Sequence, residues 1–348
     1  MKYSKVGLLF LLTTIGVSLA ESAELEIDLW YGDRQSFGHL GGHPQRFVNL
    51  LGDVAPASEI QSLWYRLNRA ELVPLSFKED NKRIAKTGDF NVEILRSLLK
   101  PGDNRVEIIA TNKSGSTYRK EAIVAYDPEP GNWPLPYSID WSQVSRISDA
   151  AQVVDGEWEL TPAGVRTVRH YYDRVLAFGD ASWENYEVTT TVTIHALIPP
   201  RTGPNRTRVT HVAIASRWPG HDPDGNQPTV KWHPLGATAE FRLGGDLQDC
   251  RWRIFDGQRA YHVESDKRRR LKFETPYRMK HRVETLADGR TRYQVKLWAA
   301  SSDEPGEWDF ERFEPDDLKS GSALLLAHFS DVTFGNVEVV PVVPEREN

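Results

Sequence analysis

Between residues 187 and 195 the chain alternates strictly. Val188, Thr190, Val192 and Ile194 fall on one side of an extended backbone, and Glu187, Thr189, Thr191, Thr193 and His195 on the other. A period of two predicts a strand with one packed and one wetted face. The same test separates Val212, Ile214 and Trp218 from His211, Ala213, Ala215 and Arg217, and Tyr293, Val295 and Leu297 from Gln294, Lys296 and Trp298. Earlier in the chain Ser62–Leu67, Phe90–Leu95, Arg105–Thr111 and Lys120–Tyr126 are shorter β-rich runs, with Lys100–Asn104 and Asn112–Gly115 as turn chemistry. Helical periodicity is nearly absent, so the chain is expected to be all-β.

The stretch from Asp127 to Pro136 packs four prolines into ten residues, which interrupts any interior strand and marks a domain boundary. A small sandwich is expected over 21–130, and a larger one over 131–345, where nine of the eleven tryptophans lie. Two domains also suit a chain of 348 residues. The balance of 43 Lys and Arg against 49 Asp and Glu, formally −6, excludes a strongly basic nucleic-acid binder and a disordered acidic tail. Lys2 and Lys5 precede the apolar run Val6–Leu19, and small residues Ser18 and Ala20 flank a cleavage point before Glu21. The run is shorter than the ~20 residues a membrane span needs. Residues 1–20 therefore read as a bacterial secretory signal, which predicts a secreted, periplasmic or extracellular protein without a span in its mature chain. Cys250 is the single cysteine, so no intramolecular disulfide can form and core burial must hold the fold.

The segments Leu99–Val106 and Ile109–Gly115 resemble the last two strands and intervening turn of immunoglobulin-like and cadherin-like modules of bacterial exported proteins. Trp30–Gly38 with Pro44–Gly52 is similar to the opening of such modules. That resemblance implies spacing or adhesion and no chemistry. Gly179–Val188, Gln294–Trp298 with Glu304–Trp308, Gly321–Ala327 and Asp331–Asn336 together resemble concanavalin A-like lectin/glucanase domains of the laminin-G-like kind. The expected fold is thus an immunoglobulin-like β-sandwich followed by a concanavalin A-like jelly roll. The second resemblance is informative for fold and poor for activity, since the fold hosts lectins, glycosidases, lyases and inert spacers.

Jelly rolls of this kind bind sugars on the concave face of one sheet, so the polar strand faces supply the candidates. These are His195, His211, Arg217, Glu240, Arg242, Arg251, Arg253, Gln294, Lys296 and Trp298. Arginine forks suit carboxylate, sulfate or hydroxyl groups and tryptophan stacks on sugar rings. The loop after Arg217 adds Trp218, His221, Trp232 and His233 as an aromatic and imidazole platform, or else its tryptophans plug a sandwich edge. Asp331 on the closing strand is the candidate ligand for a structural calcium, and Asp222–Asn226 is a weaker one. Glu307, Asp309 and Glu311 have the spacing of a retaining-glucanase triad, with carboxylates about 5–5.5 Å apart, but only 37 residues follow Glu311. A lyase would need a base and a carboxylate-neutralising group, roles open to His211, Arg217, Arg242 and Tyr261. Lys267–Arg270 reads as a solvated hairpin.

Three functions stay open at this level: a glycan-binding protein without turnover, a polysaccharide lyase or glycoside hydrolase on the same scaffold, and a structural surface module. The expected partner in the first two is a polysaccharide, anionic or hydroxyl-rich, and no nucleic acid.

Overall fold

The computed structural model describes residues 24–129, 131, 133–198, 209–229, 236–258 and 262–342. Strands β1 (Glu26–Leu29), β2 (Arg34–Phe37), β3 (Phe47–Ala55), β4 (Ile60–Leu67), β5 (Val73–Pro74), β6 (Asp89–Leu95), β7 (Gly102–Asn112) and β8 (Thr117–Tyr126) precede the proline-rich boundary. They form a three-stranded sheet, β1-β3-β6, and a five-stranded sheet, β2-β8-β7-β4-β5, in which β2 runs parallel to β8. Leu50, Val92 and Ile94 of the first sheet pack with Leu63, Val106, Ile108 and Val124 of the second in one core. The β7–β8 turn follows the expected chemistry. Asn112 Oδ1 accepts from the backbone N–H groups of Ser114 and Ser116, and Gly115 takes the left-handed conformation at φ 89°.

Beyond the boundary come β9 (Tyr137–Ile139), β10 (Gln152–Asp155), β11 (Trp158–Thr161), β12 (Gly164–Thr167), β13 (Arg174–Phe178), β14 (Tyr186–Leu197), β15 (Thr210–Trp218) and β16 (Ala237–Leu243). They are followed by β17 (Arg251–Phe255), β18 (His262–Glu264), β19 (Pro276–Thr285), β20 (Thr291–Ala299), β21 (Phe310–Glu314), β22 (Ser322–His328) and β23 (Ser330–Pro341). A seven-stranded sheet has the order β10-β13-β22-β15-β16-β17-β18, and an eight-stranded sheet the order β11-β12-β23-β14-β19-β20-β21, with β9 added on β23. Phe178, Ile214, Phe241, Trp252 and Leu325 of the first sheet meet Tyr186, Ile194, Met279, Tyr293 and Phe334 of the second. This is a two-layer antiparallel sandwich. Among the described residues there is no α-helix.

The alternation read from the sequence holds over His211–Ala215 and then inverts. Ala215 pairs with Leu324 but Trp218 pairs with Ser322, so β15 carries one residue more than its partner. Arg217 sits in this bulge at φ 54°. The extra residue swaps the two faces: Trp218 turns out of the sandwich, and Arg217 turns between the sheets. Gly321 makes room for the bulge, since a Cβ there would lie 2.1 Å from the Arg217 carbonyl carbon.

The two sandwiches meet through a buried seam. Arg83 bonds to Glu93 at 2.8 Å and to Asp155, while Arg174 pairs with Asp155 at 2.8 Å. Gln227 donates to the Glu93 carbonyl, and Thr229 N–H donates to its carboxylate. At a second point Arg169 lies 4.6 Å over the Trp30 ring and pairs with Asp53, Asp89 and Glu157. The sheets on either side of the proline-rich stretch are therefore docked against each other.

Cys250 is buried beside its backbone bridge to Arg269, and burial pushes its thiol up to about 11. The native protein is expected to leave this thiol unmodified by a thiolate-specific reagent at pH 8, with one equivalent reacting on denaturation. Stoichiometric reaction of the native chain would contradict this packing.

Candidate functional site

Parity along five adjacent strands builds one polar cluster on the outer face of the seven-stranded sheet. Val212 and Ile214 of β15 enter the core, so His211, Ala213 and Ala215 point outward. On β22, Ala323, Leu325 and Ala327 face inward, and Leu324, Leu326 and His328 outward. The same rule turns out Glu240 and Arg242 of β16 and Arg251 and Arg253 of β17, because Ala239, Phe241, Trp252 and Ile254 are core. Asp173 precedes β13 in phase with its outward Val175 and Ala177.

Register then sets the distances. His211 stands opposite His328 on one side and Arg242 on the other. The two imidazoles stack with centroids 4.3 Å apart and planes 5° from parallel. His328 Nδ1 lies 2.5 Å from Asp173 Oδ1, and His211 Nε2 lies 3.7 Å from Glu240 Oε1. Arg253 donates to Glu240 Oε2 at 2.8 Å, and Glu264 takes Arg242 and, at 2.8 Å, Arg251. Burial would raise the Glu264 carboxyl, but the attraction of Arg242 and Arg251 outweighs it and holds the group below its ordinary value. Tyr172, Asp173, Val209, His211, Glu240, Arg253, Leu326 and His328 line a pocket of about 170 Å³. Its wall offers donors and acceptors in pairs, an aromatic edge, and an imidazole beside a carboxylate.

The pooled candidates separate. His211, Glu240, Arg242 and Arg251 share this face. His195 and Trp298 lie on the outer face of the other sheet, where His195 is fixed between Glu274 at 2.9 Å and Thr333 at 2.8 Å. Gln294 and Lys296 accompany Trp298 there, with Lys296 4.6 Å over the Trp308 ring and paired to Glu304 at 2.7 Å.

Arg217 is no ligand residue. It is fully buried, and its guanidinium donates to the carbonyls of Glu184 and Leu318 and to the side chains of Asn185 and Thr285. Trp218 and His221 are buried too, edge to face at 5.3 Å, with His221 Nδ1 3.8 Å from Glu93 of the first sandwich. The described part of the loop after β15, residues 219–229, thus packs into the seam rather than lining a groove, and Asp222 pairs with Arg46 at 2.9 Å. Trp232, His233 and Tyr261 lie outside the described residues.

Asp331 gives both carboxylate oxygens to the Arg166 fork, at 2.9 and 2.7 Å. Burial raises its carboxyl, yet Arg166, with His170, brings it below its ordinary value. The charge expected from calcium is supplied there by a guanidinium. Of the glucanase-spaced carboxylates only Glu311 is on a strand. Asp309 turns inward to Lys267, Arg269 and the Leu297 N–H. Lys267 and Arg269 thereby staple a segment that the sequence suggested was merely solvated.

Asp173, Tyr172 and His328 were missed. His328 ends the wholly buried run Ser322–Ala327, which has no alternation to read, and Asp173 follows two tyrosines outside any strand. The polar residue terminating an apolar run was the available signal for His328.

The chain matches no protein-family model and no curated protein sequence. Solved structures it is similar to include the VIP36 exoplasmic/lumenal domain in its Ca2+/Man2-bound form, at 10% identity over 60% of this chain and 89% of that one, TM-score 0.37. Alginate lyase Aly36B aligns at 11% identity over 61% of this chain and 99% of that one, TM-score 0.36. The carbohydrate recognition domain of Emp47p aligns at 11% over 60% and 97%, TM-score 0.35. At these values the likeness assigns no activity, and the site stands on its own geometry.

Proposed function

We propose that the chain is an exported glycan-binding protein that holds a saccharide, without cleaving it, on the outer face of the seven-stranded sheet. The observation that carries this reading is the convergence of Tyr172, His211, Glu240, Arg253 and His328 on one pocket beside the Arg242–Glu264–Arg251 pairs. Paired guanidinium and carboxylate groups present donors and acceptors side by side, the pattern that vicinal sugar hydroxyls satisfy. Arg242, Arg251 and Arg253 are balanced by Glu240, Glu264 and Asp173, which favours a hydroxyl-rich saccharide over a strongly anionic one. The larger sandwich is read as a concanavalin A-like jelly roll and the smaller as an immunoglobulin-like spacer. Calcium at Asp331 is not part of this reading, because Arg166 already supplies the positive charge.

Affinity electrophoresis through gels containing neutral and uronate polysaccharides tests it. Retardation by a neutral polymer is expected, abolished by Arg253→Ala and Glu240→Gln and kept in Lys296→Ala on the opposite sheet. No retardation by any polymer would leave the structural-module reading. The lyase alternative draws on the imidazole of His328 set against Asp173. Accumulation of unsaturated products, followed by their ultraviolet absorbance, would replace binding with turnover.

A further inference from the structure

We propose that Asp173, His211 and His328 bind a transition-metal ion of the zinc type at the floor of this pocket. One donor atom from each residue lies within 4.8 Å of the other two, and all three side chains are buried. The sheet delivers them in order: β13, β22 and β15 are consecutive neighbours, and His211 is directly opposite His328. The two imidazoles stack 4.3 Å apart with planes 5° from parallel, so one ring must tilt to bring both in-plane lone pairs onto one cation.

The two Asp173–histidine separations are close to what such an ion requires. Around a tetrahedral zinc ion with ligands at about 2.0–2.1 Å, neighbouring donors sit about 3.3 Å apart. Asp173 Oδ1 lies 2.5 Å from His328 Nδ1 and 3.9 Å from His211 Nε2, so one separation opens and the other closes by less than an ångström. Two nitrogens and a carboxylate select a borderline ion such as zinc or cobalt over calcium or magnesium, which take oxygen ligands. Three protein ligands leave a fourth position, bordered by Glu240, whose Oε1 is 3.7 Å from His211 Nε2 and whose Oε2 is held by Arg253. A carboxylate so anchored faces whatever fills that position. The inference goes beyond the glycan reading and does not depend on it.

Titration of the chelator-treated full chain with Zn2+, and with Co2+ followed by visible absorption, tests the site in the absence of sugar. One ion per chain is expected, with Asp173→Asn and His328→Ala each weakening affinity at least about tenfold. Saturating zinc should raise the thermal midpoint of the wild type and leave those variants unmoved. X-ray absorption at the zinc edge of the wild-type complex is expected to show two imidazoles in the first shell, a readout that holds even if a variant fails to fold. Absence of saturable one-to-one binding, or a shell without two imidazoles, would overturn the proposal. With no glycan in the assay, its failure leaves saccharide binding standing, and loss of saccharide binding leaves the ion site standing.

Discussion

Replacing Arg83 with Met is expected to destabilise the folded chain by about 3–5 kcal/mol, the range for removing one partner of a buried ion pair. The Arg83 side chain has no exposed surface, and it bonds to Glu93, to Asp155 and to the Thr229 carbonyl at 2.6 Å. Its loss leaves two carboxylates away from water, with Arg174, among the described residues, remaining to serve Asp155. The same substitution should change the pH dependence. Burial raises the Glu93 carboxyl, but Arg83, His221 and the Thr229 N–H together hold it well below the usual carboxylate range. A depressed folded pKa stabilises above the unfolded value near 4.3, and that stability is lost as pH falls toward the folded value. Asp155 acts oppositely: burial outweighs Arg174 and Arg83 and pushes it up, so its contribution declines as pH rises through the raised value. Wild type should therefore weaken below about pH 5 through Glu93, and Arg83→Met should flatten that limb, because burial then dominates at Glu93. Urea unfolding from about pH 3 to 7 measures both effects; an unchanged midpoint at pH 7 would show that the seam does not hold the sandwiches together.

Arg217→Met should cost at least about 3 kcal/mol, since each buried acceptor left without a donor costs about 1–3 kcal/mol. The guanidinium serves the carbonyls of Glu184 and Leu318 and the side chains of Asn185 and Thr285, joining the ends of strands from both sheets. Burial also lowers the pKa of this arginine, consistent with a cation held by neutral oxygens. Saccharide retention by the fraction that stays folded should be unchanged, because the side chain turns away from the pocket. A variant of wild-type stability that lost retention would restore the role that strand alternation suggested. Urea midpoints and gel retardation on the same preparation separate the two outcomes.

The contrast at Arg217 shows where pattern reading succeeds and fails. Val188, Val192 and Ile194, or Tyr293, Val295 and Leu297, reach the core as alternation required, because the extra residue that β14 carries against β23 comes only after Ile194 and β20 carries none. Over Ala215–Trp218 one inserted residue inverts every later assignment, and no local residue type announces a bulge. The all-β class and the outward parity of His211, Glu240, Arg242 and Arg251 were readable for the first reason. Which sheet each polar face belongs to was not, since His195 and Trp298 alternate just as well on the opposite layer. Asp173 and His328 entered the site through strand order, which brings residues 155 positions apart into hydrogen-bonding range.

The charged seam has a mechanical meaning. Covalent linkers let modules swivel, and interfaces between domains of one chain ordinarily permit relative motion. Here Arg83, through Asp155, and Arg174, through the Lys82 carbonyl, clamp one body to the other at one point and Arg169, through Asp53 and Asp89, at a second, with Arg83 and Arg174 buried from water. Whatever surface the smaller body leans on, the recess around His211 is carried at a constant attitude to it, as by a bracket rather than a tether.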